Sequence, residues 1–95
     1  MISLNLNAAA EIESLGADVN LIRDGKTIRS TKAVIDASRQ GYFVAVAADT
    51  PVRDGDILAS DNQRVCVVRR VASNGVAAIW LCKSAPKQYP KTGGK

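Results

Sequence analysis

Three carboxylates, Asp49, Asp54 and Asp56, lie close together in the segment DTPVRDGD, and grouped carboxylates are where a hard-cation site would be sought. Their spacing is not that of an EF-hand loop, and Arg53 inside the group would repel a cation. The same segment fits a turn, because Pro51 fixes one φ and Gly55 permits a positive one. The chain contains no histidine, which removes the commonest general base, metal ligand and pH switch together. Without it, neither a Ser–His nor a Cys–His nucleophile pair can be built. Cys66 and Cys82 are too few for a zinc site and too widely separated for a CxxC redox pair. Each sits in an apolar run, RVCVV and IWLCK, so both read as buried thiols, with a disulfide between paired strands as the alternative. Gly25, Gly41, Gly55 and Gly75 stand singly, so there is no phosphate-cradling loop. The expectation is a protein that is not an enzyme, needs no cofactor or metal, and works by binding other macromolecules.

The charge balance constrains the partner. The 13 basic and 9 acidic residues leave a net charge of +4, and Lys83, Lys87, Lys91 and Lys95 all fall in a final stretch without an acid. Without those lysines the body is neutral, so the basic character belongs to a tail more than to a nucleic-acid-binding face. A small barrel carrying Arg64, Arg69 and Arg70 with stacking aromatics remains the alternative, an oligonucleotide-binding or other interaction module. Its aromatics would have to be Tyr42, Phe43, Trp80 and Tyr89, and Trp80 lies in an apolar run that reads as core.

The elements that must position these residues are mainly strands. At 95 residues with 46% apolar content and few aromatics, the chain forms one domain with a thin core of Val, Ile and Ala, which suits pleated surfaces. Residues 5–15 predict one short helix, with Asn5 or Asn7 as N-cap and Gly16 as its stop. Strands are expected near 18–23 and 26–36 around the Asp24–Gly25 hairpin turn, then at 42–48, at ILAS (57–60), at 63–72 and at 76–83. Turn signals every ten to twelve residues or so point to a small antiparallel β-barrel or sandwich of about six or seven strands. The domain is expected to span 1–85, with 86–95 as an extended, irregular basic tail. The N-terminus has neither a basic n-region nor a long apolar stretch, so neither a signal peptide nor a membrane span is expected.

Strand 63–72 breaks the usual alternation. Arg64, Cys66, Val68 and Arg70 share one face, and Val65, Val67, Arg69 and Val71 the other, so both faces mix arginine with apolar residues. Either the arginines at the strand ends reach outward along their stems, or both faces are covered, one by the core and one by a second subunit.

The order of elements in YFVAVAADTPVRDGDILASDNQRVCVVRRVASNGVAAIWL resembles the head–tail connector proteins of lambda-like tailed bacteriophages, the head-completion or tail-attachment proteins. The shared succession is an apolar strand, a loop ending in RDGDIL, a short turn, a strand ending VVRRV, a polar hairpin and a closing strand carrying WL. Its most specific piece is the turn at Gly55 and Asp56 at that distance from Trp80, and the likeness spans roughly residues 17–83. The chain departs from the family in a shorter N-terminal region and a lysine-bearing tail. The resemblance implies a structural virion protein at the head–tail interface, assembled in the host bacterial cytoplasm as a six- or twelvefold ring of copies of itself. The ring would close the portal after DNA packaging. Its partners would be a portal or adaptor ring on the head side and a tail terminator or tail tube protein on the tail side, with the DNA end within reach and no membrane involved. The interface residues expected on this basis are Asp49, Pro51, Arg53, Asp54, Gly55 and Asp56 in the loop, Arg69 and Arg70, and Lys87 and Lys91 in the tail.

Overall fold

The computed structural model describes residues 8–85. They form α1 (Ala8–Leu15), then β1 (Ala17–Arg23), β2 (Lys26–Ser38), β3 (Gly41–Ala47), β4 (Ile57–Ala59), β5 (Arg64–Ser73) and β6 (Ala77–Ser84). The six strands close into an antiparallel barrel in the order β1-β2-β3-β6-β5-β4. The chain is therefore a small mainly β protein, a closed barrel, with each expected strand within two residues of its observed bounds. The helix expected over 5–15 runs from Ala8 to Leu15 within the described part, and residues 5–7 lie outside it. The tail 86–95, with Lys87 and Lys91, also lies outside the described residues.

Local sequence explains the turns. Asp24 and Gly25 both take positive φ, 53° and 79°, which is the turn whose twist matches two antiparallel strands. It fixes Arg23 opposite Lys26. At the β5–β6 hairpin the Asn74 side-chain oxygen accepts from the Val76 and Ala77 N–H groups at 2.9 Å, an Asx-type turn before Gly75. Gly41, at φ 130°, allows β3 to start against β6, because a Cβ there would lie 2.4 Å from the Cys82 carbonyl oxygen.

The apolar residues divide into two layers. Inside the barrel, Val19, Leu21, Ala33, Val44, Val46, Leu58, Val65, Val67 and Cys82 form one buried cluster, with Tyr42 and Trp80 packed against it. Outside it, Ala8 and Ile12 of α1 pack on Ala45, Ala77 and Ile79, with Val34 and Phe43 at the edge. Ala8 and Ile12 are one turn apart and so share the face that the helix lays on the sheet. This second layer accounts for the unbroken apolar run of β3. Val44 and Val46 face the interior, while Ala45 is buried under the helix and Phe43, half-buried, packs at its edge, so both faces are largely covered.

The mixed faces of β5 have a different origin. Its ladder with β6 shifts register between Val67 and Arg69 and again between Arg70 and Ala72. Each shift is a bulge that leaves one residue without an opposite partner, Val68 and then Val71. Below the first bulge the alternation is regular, with Val65 and Val67 buried; above it Val68, Arg69, Arg70 and Val71 are all exposed. A third shift, in the β1–β2 ladder, skips Ile28, which is likewise exposed. Among the described residues, three of the four large exposed apolar side chains thus occupy bulge positions.

Both cysteines are free. Cys82 lies opposite Val67 and shares its inward face, so Cys66, the next residue along from Val67, points the other way and no disulfide can form. Burial, helped by the negative charge that Cys66 can carry, pushes the Cys82 thiol up to about 12.

Candidate interaction surface at the loop end of the barrel

The connection from β3 to β4 folds back over one end of the barrel. Its residues alternate: Asp49, Pro51 and Arg53 are exposed, while Thr50 and Val52 are buried. Val52 joins the interior cluster and stoppers the barrel. Hydrogen bonds from Thr50 N–H to Ala47 O (3.0 Å) and from Val52 N–H to Thr50 O (2.8 Å) shape this descent.

The loop is pinned by an ion pair that spans 33 positions of sequence. Arg23, at the top of β1, donates from Nε and Nη2 to the two carboxylate oxygens of Asp56 at 2.9 and 2.8 Å, and from Nη2 to the Pro51 carbonyl oxygen at 2.7 Å. The Asp56 carboxylate also accepts from the Arg53 N–H at 2.9 Å. Such a two-pronged contact is the strongest polar arrangement available to an arginine and a carboxylate. Arg29 adds a long donation to the Asp49 carbonyl oxygen, 3.4 Å.

On the far side the loop is stitched to β5. Gly55 N–H donates to Val67 O, and Val67 N–H donates to Asp56 O, both at 2.8 Å. The positive φ of Gly55, 90°, turns the chain so that both bonds form. These two bonds bring the loop residues beside Arg69 and Arg70, which share an exposed end of the barrel with Asp49, Pro51, Arg53, Asp54 and Gly55. Neither the Arg69 nor the Arg70 side chain has a hydrogen-bond or ion-pair partner among the described residues. Asp56 departs from the expectation that it meets a partner protein. It is 3% exposed and turned inward, so it secures the loop instead of contacting a neighbour. Sequence reasoning also missed Arg23, Thr50 and Val52. Val52, an apolar residue between Pro51 and Arg53, offered a weak signal, whereas nothing near Arg23 marked it as the partner of Asp56.

Burial pushes the Asp56 carboxyl up, but the bonds from Arg23 and from the Arg53 N–H outweigh it, and the group stays below the ordinary value of 3.8. The native protein therefore refuses a proton that the unfolded chain accepts. The stability this confers is complete above about pH 4 and drains away as pH falls through the lowered native value. In thermal melts between about pH 5 and about pH 3, the wild-type melting temperature is expected to fall more steeply than that of Asp56→Asn. Parallel profiles would show that the pair adds nothing.

Tyr42 and Trp80 pack on the interior cluster and Phe43 on the helix-covered one, so these aromatics form no exposed stacking stripe; Tyr89 lies outside the described residues. Among the described residues no three His, Cys, Asp or Glu side chains are grouped to hold a metal, and no helix is long and apolar enough to cross a membrane. At the opposite end, Tyr42, Ser60, Asp61, Gln63, Arg64 and Ser84 line an open cleft of about 570 Å³. Comparison with protein-family models, with curated proteins and with solved structures finds no match for this chain.

Proposed function

We propose that this chain is a non-catalytic assembly subunit, the head–tail connector of a tailed bacteriophage, which forms a ring that closes the portal and presents a docking surface to the tail. One observation carries the reading. The Gly55–Asp56 turn and the VVRR segment, the pieces on which the family resemblance chiefly rests, are hydrogen-bonded neighbours at one end of the barrel. That end bears exposed charges of both signs and exposed β-branched residues, the texture of a surface built to be covered. A thin apolar core suits a subunit that gains stability from its neighbours.

The test is a complementation assay. A lysate in which synthesis of this chain is blocked is expected to hold filled heads and separate tails, which join into whole particles when the purified protein is added. Whole particles formed without it, counted by negative-stain microscopy, would overturn the reading.

A further inference from the structure

On its β4 side, β5 makes its last backbone pairing at Val67, with Gly55 and Asp56. On its β6 side it continues to Ser73, opposite Ala78. From Val68 to Ser73 one edge of β5 therefore has no strand beside it among the described residues, and an open edge is a template for association. Val68 and Val71 are 40% and 43% exposed there, set outward by the two bulges, and Arg69 and Arg70 stand between them. Two such edges meeting face to face would set those arginines against their own duplicates, which disfavours a symmetric contact between like edges.

A complementary surface lies on the helix-covered side of the barrel. Helix α1 lies over β2 and β3 and reaches Ala77 and Ile79 of β6, while the open edge of β5 faces β4. Glu11 and Leu15 lie one turn apart on the same shoulder of the helix, both exposed, Leu15 at 73%. Acidic and apolar groups on one side of the molecule thus match basic and apolar groups on the other.

We infer that the Val68–Ser73 edge of one copy docks against the Glu11–Leu15 shoulder of the next. The contact is heterologous, so each copy keeps one face free, and repetition closes a ring if the rotation permits. The inference rests on the ring-forming role proposed above and adds to it the two faces that meet.

Size-exclusion chromatography with light scattering on the full chain, across concentration and salt, tests it. The wild type is expected to self-associate, less so at high salt. Arg69→Glu with Arg70→Glu, and separately Glu11→Lys with Leu15→Lys, should each weaken association on the order of a hundredfold. An equimolar mixture of the two doubly substituted proteins should recover it, because each reversed face then meets a reversed counterpart. Circular dichroism establishes that both are folded. If the helix variant is not, Val68→Ser with Val71→Ser, at exposed bulges, should show the same weakening. A wild type that stays monomeric throughout, or a folded helix variant that assembles normally, would overturn the inference. Assembly through some other face leaves the connector reading intact, whereas whole particles formed without the protein defeat that reading whatever the faces do.

Discussion

Leu58→Ala is expected to destabilise the protein by about 2–5 kcal/mol and to lower its melting temperature by roughly 8–40 °C, at about 4–8 °C per kcal/mol for a domain of this size. The reason is the brevity of β4. Three residues, Ile57–Ala59, join β1 to β5, and the centre of that join is Leu58, opposite Leu21 on one side and Val65 on the other. All three side chains are fully buried. Truncating the middle one leaves a cavity where the barrel closes, and a strand this short has no other buried side chain to compensate. Val68→Ala, at an exposed bulge, should change stability by no more than about 0.5 kcal/mol. Urea unfolding followed by circular dichroism measures both, and a loss below about 1 kcal/mol for Leu58→Ala would show that the barrel does not depend on this residue for closure.

Asp56→Ala is the second large effect, expected at about 2–3 kcal/mol. The substitution removes the acceptor for three donations, two from Arg23 and one from the Arg53 N–H. Arg23 keeps only the Pro51 carbonyl oxygen, and the loop loses its tie to β1 while retaining its bonds to Val67. Limited proteolysis should consequently cut within 49–56 at least about tenfold faster than in the wild type, since local opening governs cleavage. An unchanged digestion rate, with the melting temperature within about 3 °C of wild type, would show that the Val67 bonds alone hold the loop.

Neighbours in the chain decide some of these features, and residues distant in sequence decide the others. Asp24–Gly25 and Asn74–Gly75 marked their hairpins because positive φ is a local demand met by few residue types. Turns at regular spacing gave a small antiparallel barrel or sandwich; that the sheet closes into a barrel depends on the distant pairing of β1 with β4. The apolar run 42–48 correctly read as a strand between others, but nothing in it told which side would carry the helix. That depends on Ala8 and Ile12 meeting Ala45, Ala77 and Ile79 across long separations. The bulges at Val68 and Val71 were visible only as broken alternation, which arginine stems reaching outward or a second covered face would also give. In the candidate surface, the exposed members of the loop and the two arginines were legible as charged turn and strand-end residues. The inward role of Asp56 was not, since it is set by Arg23, which lies on another strand and leaves no trace at the loop itself.

The way the barrel closes also bears on how the protein comes into being. β1 meets β2 across a two-residue turn, but its other edge must wait for β4, whose residues lie more than thirty positions away in the chain. The final seam is thus a distant pairing whose ordering cost is met before any contact rewards it, which places folding among the slower small domains, in milliseconds to seconds. During synthesis the free edge of β1 stays exposed until Ile57–Ala59 has left the ribosome. Asp18 and Asn20 on that strand, polar and turned outward, are suited to discourage aggregation through that edge in the meantime.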